Sequence, residues 1–160
     1  MPTPTATPPA AAIGSNELRS DDRIDVVDPY RGDLVGTVEC ADAEAVSEAV
    51  SVAADAVPAW ADTAVAERAA VLRRTAALIE DARRGLAATV TREMGMPTTL
   101  AAATQQVMPA TVLRAMADAA GTFDWQRTID GATLRHVPVG VVAAITPWNM
   151  PVHQIVAKIS

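Results

Sequence analysis

The sequence predicts an α/β chain, because two kinds of hydrophobic pattern follow each other along it. Residues 43–120 repeat apolar side chains at intervals of three and four, which places them on one face of a helix. Residues 139–145 form an apolar run without alternation, which is typical of a strand covered on both faces in a parallel sheet. Helices that lead into a buried parallel strand are the pattern of an α/β fold.

Composition narrows the class of protein. The chain has 160 residues, and 13 Lys and Arg against 19 Asp and Glu give a formal net charge of −6. This acidic balance argues against a nucleic-acid partner. Half of the residues are hydrophobic and a fifth are charged, which is typical of a globular chain and too apolar for wholesale disorder.

No segment predicts a membrane or secretory destination. The longest chiefly apolar run, residues 137–147, is far shorter than the roughly 20 residues that a membrane helix needs. The first 20 residues carry neither the positive region nor the apolar block of a signal peptide. The single cysteine, Cys40, cannot form an internal disulfide, which fits a reducing compartment. We therefore expect a cytoplasmic protein without membrane contact.

The amino-terminal part predicts a tail followed by a hairpin. Prolines among Thr and Ala make residues 1–20 a disordered tail, since proline fixes φ and removes a hydrogen-bond donor. Residues 24–27 and 34–39 are short β-prone runs, and the Asp-Pro start and internal glycine of residues 28–33 suit a turn between them. One β-hairpin is expected here.

The first two predicted helices have clear starts. Asp42 is a natural N-cap for the first helix and Pro58 a natural stop. The second follows Asp62 or Thr63 and carries Glu67 in its first turn, where a negative charge suits the helix dipole.

Glycine and proline mark the later helical boundaries. Gly85 breaks or softens the second helical stretch, and Gly95 ends it, with a proline beyond. Residues 99–120 form a further helical stretch in which Pro109 should introduce a kink or a split, and Gly121 closes it.

The last part of the chain predicts strands. An Asp-Gly pair precedes residues 133–137, an alternating strand candidate. The buried strand at 139–145 needs neighbours, but only 15 residues follow it, and a parallel neighbour normally requires a crossover of a dozen or more. We therefore expect this domain to be incomplete in the chain.

Several segments of the chain resemble the motifs of one known family. Residues 28–33, DPYRGD, resemble its NPxTGE turn, and 93–97, EMGMP, resemble ExGKP with Met96 in place of lysine. Residues 43–60 resemble its first helix, and 67–74 resemble its ERAxxLRR helix. The most specific likeness joins PVGVV and ITPWNMP within residues 138–151, similar to a PxGVVxxIxPWNxP block. With these motifs the chain resembles the NAD(P)-dependent aldehyde dehydrogenase family.

The resemblance implies an arrangement of parts. Residues 21–128 would form the hairpin and helices of the cofactor-binding domain, and 129–137 a strand that bridges to an oligomerisation sheet. Residues 138–160 would form the first strand of a Rossmann-like domain, a loop and the start of the following helix. The chain would then be a truncated amino-terminal piece of a parent that forms homodimers or homotetramers.

The resemblance also implies site residues. The loop at the carboxyl end of the strand would contact NAD or NADP through Ile145, Thr146, Pro147, Trp148 and Asn149, a placement that suits dinucleotides in α/β folds. Asn149 matches the family's oxyanion-hole asparagine, whose amide donates to the aldehyde oxygen during attack by a cysteine thiolate.

The reaction implied is oxidation of an aldehyde to a carboxylic acid through a cysteine thiohemiacetal. Cys40 matches no catalytic position of the family, so the chain alone should be inactive. No metal site is expected, because His136 and His153 are 17 residues apart without a carboxylate or cysteine cluster at ligand spacing.

Two alternatives stay open. One is a semialdehyde dehydrogenase that transfers the acyl group to coenzyme A. The other is a helical interaction module without catalysis. The residues present do not separate these readings, nor do they identify the aldehyde or choose between NAD and NADP.

Overall fold

The computed structural model describes residues 12–18 and 20–160, in which helices pack beside three two-stranded antiparallel hairpins. The strands are β1 (Ala12–Ile13), β2 (Asn16–Glu17), β3 (Arg23–Val27), β4 (Leu34–Glu39), β5 (Gln126–Ile129) and β6 (Ala132–Arg135). The α-helices are α1 (Ala43–Asp62), α2 (Val65–Asp81), α3 (Arg83–Met94), α4 (Thr98–Ala102), α5 (Met108–Thr122) and α6 (Pro151–Ile159), with a π-helical turn at Ala103–Val107. None of the helices in these described ranges is both long and apolar enough to cross a bilayer.

A short hairpin lies within the stretch that the sequence predicts as a tail. Strands β1 and β2 pair around Gly14, whose φ of +61° is the left-handed conformation that glycine adopts most easily. The α-carbon of Gly14 lies against Val52 of α1, and Leu18 is buried. Contact with α1 therefore orders residues 12–18, where disorder was expected. Ser20, the last residue of the predicted tail, is also described, and its N–H donates to Glu39 Oε2 at 3.3 Å. Residues 1–11 and 19 of the predicted tail lie outside the described residues.

The predicted hairpin near residue 30 is confirmed. Strand β3 pairs with β4 in antiparallel register, with an irregularity between Val26 and Val27. In the turn, Asp28 Oδ1 accepts hydrogen bonds from the backbone N–H groups of Tyr30 at 2.9 Å and Arg31 at 3.0 Å. These two donors stabilise the carboxylate and lower the pKa of Asp28.

Helix α1 begins where the sequence predicts but ends later. Asp42 Oδ1 accepts a hydrogen bond from the Ala45 N–H at 2.8 Å, so the predicted N-cap is confirmed. The predicted stop at Pro58 is wrong, because the helix continues to Asp62. A proline inside a helix loses its own N–H bond and crowds the carbonyl four residues before it, but the residues after Pro58 still form one further turn, which ends where the Thr63 N–H donates to Trp60 O.

The second helical stretch divides three residues before the expected glycine. The break between α2 and α3 is at Ala82, and Gly85 lies within the first turn of α3. The predicted end at Gly95 is confirmed, since this residue adopts a left-handed φ of +76° after Met94.

The stretch predicted as one kinked helix consists of α4, the π-helical turn and α5. Helical backbone continues without interruption from Thr98 to Thr122, so no split occurs; a π-helical turn instead precedes Pro109, which lies in the first turn of α5. The π-helical turn was not predicted. Helix α5 continues to Thr122, one residue beyond the expected closing Gly121.

Two apolar clusters form the core, and α6 joins them. The first cluster combines Ala76 of α2 with Ala110 and Leu113 of α5 and Val156 of α6. The second cluster contains Ala87, Val90, Met96 and Ala101, against which Val152 of α6 packs. Because many of these side chains are small, the helices approach closely. The first two turns of α6 are thus packed against the helical part of the chain.

The strand expected at 133–137 is β6, and it is shifted to Ala132–Arg135. Its partner β5, which the sequence analysis did not predict, pairs with it through a two-residue turn at Asp130 and Gly131. Both turn residues have positive φ, at 50° and 83°, as expected for the tight turn that matches strand twist. Every residue of β5 and β6 is exposed.

The structure assigns no strand to residues 139–145, which corrects the prediction of a buried strand there. Val139 is 94% exposed and Ile145 is 85% exposed. The reason is that no other strand of the described residues pairs with this segment, and a strand requires backbone partners. The apolar run therefore lies on the surface of the described chain.

Candidate functional site

The five residues predicted to contact the cofactor form one loop. Ile145, Thr146, Pro147, Trp148 and Asn149 lie between the apolar run and α6, outside any helix or strand. All five are exposed, and Trp148 is 78% exposed. Their backbone is thus not taken up by secondary structure and remains open to a ligand.

The loop ends at the start of α6. Met150 is the N-cap of this helix, with φ −141° and ψ 66°, and Pro151 occupies the first turn. The Met150 carbonyl accepts the first helical hydrogen bond, from the Gln154 N–H at 2.9 Å. Asn149 directly precedes this cap, so its position depends on how the first turn of α6 is held.

A buried glutamine from another helical segment holds that turn. Gln105 Oε1 accepts hydrogen bonds from the backbone N–H groups of Val152 at 3.1 Å and His153 at 3.3 Å. Because Pro151 has no N–H, these are the first two backbone donors within the helix. Gln105 is 0% exposed and is the one buried polar residue among the side chains that the structure describes.

The amide of Gln105 is oriented by a neighbouring hydroxyl. Its Nε2 donates to Thr104 Oγ1 at 3.2 Å, and Thr104 Oγ1 donates to the Leu100 carbonyl at 2.8 Å. The orientation of the amide follows from chemistry, since two backbone N–H groups face one of its atoms and only the carbonyl oxygen can accept from them. These bonds connect the start of α6 to α4.

Gln105 lies in the π-helical turn Ala103–Val107. A π-helical turn accommodates a longer hydrogen-bonded ring than an α-helix and is frequent at functional sites. Sequence reasoning missed this residue, because a polar side chain within a helical stretch is ordinarily interpreted as part of the solvent-exposed face.

The arrangement fits a dinucleotide at the loop and not at the end of α6. The exposed backbone of residues 145–149 offers N–H and carbonyl groups. A helix N-terminus usually attracts phosphate through its free N–H groups. In α6, however, the Val152 and His153 N–H groups already donate to Gln105. The chain therefore fits main-chain contacts along the loop and offers no free phosphate cradle at α6.

The remaining candidate residues do not converge on this loop. Cys40 is a free, partly buried thiol that follows β4, and its backbone N–H donates to Asp22 O at 2.9 Å. Its sulfur has no hydrogen-bonded base among the residues that the structure describes. His153 Nδ1 is buried without a hydrogen-bond partner in the described part of the chain. No group of three metal-ligating side chains occurs within residues 12–18 and 20–160.

Two curated proteins are similar in sequence to this chain over most of this chain's length. The NADP(+)-dependent succinate-semialdehyde dehydrogenase of Deinococcus radiodurans is 32% identical over 157 residues, which are 95% of this chain and 31% of that protein. The corresponding enzyme GabD of Escherichia coli is 34% identical over 148 residues, 89% of this chain and 30% of that protein. The chain thus spans about a third of the length of the curated relatives it matches.

A solved structure and a family model agree with these relatives. The structure of aldehyde dehydrogenase C from Pseudomonas syringae, a cysteine-to-alanine variant in complex with NAD+ and octanal, has a TM-score of 0.85 and 34% identity. It is matched over 89% of this chain and 29% of that one. The model of the aldehyde dehydrogenase family matches residues 17–160. The chain belongs to the aldehyde dehydrogenase family.

Proposed function

We propose that the protein oxidises an aldehyde to a carboxylic acid with NAD or NADP as the oxidant. The observation that carries this proposal is family membership over residues 17–160. It is supported by two relatives named as NADP(+)-dependent semialdehyde dehydrogenases and by a structural neighbour in complex with NAD+ and octanal. Within that reaction, this chain contributes the loop of residues 145–149.

Asn149 is proposed as the donor to the reacting oxygen. When a thiolate adds to an aldehyde carbonyl, the oxygen gains negative charge, and a fixed N–H donor stabilises it. The side-chain amide of Asn149 is neutral, exposed and placed next to the N-cap of α6. Removal of one such donor in other enzymes costs about 2.7–4 kcal/mol of transition-state stabilisation.

The backbone of the loop is proposed to hold the cofactor. Ile145, Thr146 and Trp148 each offer an N–H and a carbonyl, whereas Pro147 offers only its carbonyl. Bound at this loop, the nicotinamide would accept a hydride from the carbon of the substrate. The exposure of residues 145–149 supports this placement.

The nucleophile is proposed to be a cysteine other than Cys40. A reactive thiolate needs a nearby base or positive charge that lowers its pKa. Cys40 follows a hairpin strand and has no base hydrogen-bonded to its sulfur among the described residues. Because Cys40 is the single cysteine of the sequence, residues 1–160 alone should form no thiohemiacetal.

The exposed apolar residues of the chain argue against the alternative of a helical module without catalysis. Such a module would be expected to cover its apolar segments, but Val139 is 94% exposed, Val142 68% and Ile145 85%. A continuous exposed apolar segment marks a surface that packs against further protein. This favours a chain that packs against further protein over a self-contained module.

The test is an assay of the protein expressed from its natural gene. Succinate semialdehyde and octanal are supplied with NAD+ or NADP+, and formation of the reduced cofactor is followed by absorbance. We expect reduction that depends on aldehyde and a carboxylic acid as product by mass spectrometry. Residues 1–160 expressed alone are the control and should give no reduction.

Two outcomes would change the proposal. A requirement for coenzyme A, with an acyl thioester as product, would favour the acylating alternative. Failure of the intact protein to reduce either cofactor with any aldehyde of a broad panel would contradict the proposed oxidation.

A further inference from the structure

We infer that Gln105 is a positioning residue that fixes the loop carrying Asn149 by holding the first turn of α6. The inference deepens the proposed function and rests on it for its catalytic consequence. It starts from a contact between segments 47 residues apart, in which Gln105 Oε1 accepts from Val152 N at 3.1 Å and from His153 N at 3.3 Å.

The contact is buried and specific. Gln105 is 0% exposed, so its amide has no access to water as an alternative partner. A buried polar group must find a partner within the protein, and removal of one partner leaves the other unsatisfied. The positions of the Val152 and His153 N–H groups therefore depend on the position of Gln105.

The hydrogen bonds between Gln105 and α6 affect the position of the loop that carries Asn149. Val152 is three residues after Asn149, and Pro151 between them has a fixed φ. The Met150 carbonyl is already used by Gln154 N–H at 2.9 Å. A displacement of the first turn of α6 would thus be transmitted through a short, constrained segment to the Asn149 amide.

Hydrophobic packing of α6 cannot substitute for its two hydrogen bonds to Gln105. Val152 and Val156 pack against the two apolar clusters, which fixes the face that the helix presents to the core. Apolar contacts are not directional, so they define the position of the helix along its axis less sharply than hydrogen bonds do. The two hydrogen bonds from Gln105 are directional, and they define where the helix begins.

The first measurement is amide hydrogen exchange, followed by NMR or by mass spectrometry with peptides covering residues 150–156. In Gln105→Leu we expect exchange at Val152 and His153 to rise by about tenfold, the effect of losing one hydrogen bond. In Gln105→Glu one carboxylate oxygen can still accept both bonds, but the variant buries a charge and loses the donor to Thr104 Oγ1, so we expect protection to fall less than in Gln105→Leu without remaining complete. Gln126→Leu, the same change on exposed β5, is the matched control and should leave both amides unchanged.

The second measurement separates positioning from general stability. In the protein expressed from its natural gene, Gln105→Leu should lower kcat by about 10-fold to 100-fold, the size of effect that misplacement of a catalytic group produces. In an Asn149→Ala background the same substitution should lower kcat by less than about twofold, because a residue that acts through Asn149 has nothing left to position. A purely structural role would lower kcat equally in both backgrounds.

The outcomes are distinguishable. Unchanged exchange at Val152 and His153 in Gln105→Leu, or equal losses of kcat in the two backgrounds, would overturn the inference. If the unmodified protein oxidises no aldehyde, the proposed function fails, while the exchange experiment still decides whether Gln105 holds the loop. If Gln105→Leu does not fold, Gln105→Asn, whose amide is one methylene shorter, replaces it in both measurements.

Discussion

Gly95 lies so close to Pro29 that a β-carbon at position 95 would be 2.8 Å from Pro29 Cγ. The turn of the β3–β4 hairpin is therefore packed on the carboxyl end of α3. Both residues belong to segments that resemble the aldehyde dehydrogenase family, residues 28–33 and 93–97, which are far apart in sequence. Their contact gives a physical reason for a glycine at the second of these segments.

Replacement of Gly95 by alanine should destabilise the protein. The left-handed φ of +76° is unfavourable for any residue with a β-carbon by about 1–2 kcal/mol. The contact with Pro29 adds an overpacking cost of about 1–3 kcal/mol. Urea unfolding of Gly95→Ala should show a lowered midpoint.

Gly85→Ala is the control for that substitution. Gly85 lies in α3, and no atom would come within 4 Å of an added β-carbon. Alanine there should raise stability by roughly 0.5–1 kcal/mol through its higher helix propensity. Equal effects of the two substitutions would contradict the assigned role of Gly95.

Leu113 should be the most sensitive leucine of the helical core. It is fully buried at 0% exposure and packs with Ala76, Ala110 and Val156, so it joins α5 to α2 and α6. Leu113→Ala should lower the free energy of unfolding by about 2–5 kcal/mol. The matched change Leu78→Ala, on the exposed face of α2 at 68% exposure, should cost far less. Similar unfolding midpoints for the two variants would show that this cluster is not the core.

The ion pair between α2 and α5 predicts a pH dependence of stability. The two terminal guanidinium nitrogens of Arg114 donate to Glu80, with Nη2 2.6 Å from Oε2, and this lowers the pKa of Glu80 from its ordinary 4.5. A carboxyl whose pKa is lower in the folded state stabilises the fold above the unfolded pKa and loses that contribution as pH falls through the folded pKa. Stability should therefore decline as the pH drops below about 4.5, in part through this pair.

Glu80→Gln tests that prediction. The variant should unfold more easily than the unmodified protein at neutral pH and show a smaller further loss on acidification. The difference should shrink in high salt, because both side chains are partly exposed and screened. Glu48→Gln, on exposed α1 without an ion pair among the described residues, is the control. The assignment would fail if Glu80→Gln had the same pH profile as the unmodified protein.

The parts of the fold that local chemistry specifies could be predicted from the sequence. The Asp42 cap, the Gly95 terminus and the turn at residues 28–33 each depend on side chains within a few residues. Elements that depend on distant contacts could not. Strands β1 and β2 are ordered against α1, and residues 139–145 lack a strand because the described chain supplies no neighbour for them.

The functional site also has a part that the sequence predicts and a part that depends on distant contacts. Residues 145–149 could be located because a resemblance names them, although no hydrogen bond in the described chain tests their roles. Gln105 could not be found, since its partners are 47 and 48 residues away. A glutamine in a helical stretch gives no sign of burial until α6 is packed over it.

Asn149→Ala should lower kcat by about 10²–10³ if the amide stabilises the oxyanion. Because the donor acts mainly in the transition state, KM for NAD or NADP should change little. Asn149→Asp, which keeps the shape but places a carboxylate near the developing negative charge, should be at least as slow. Asn16→Ala removes the same group from exposed β2 and should retain full turnover, so steady-state kinetics on the three variants isolate the amide at position 149. Turnover by Asn149→Ala equal to that of the unmodified protein would eliminate the oxyanion role and leave the loop as a cofactor contact alone.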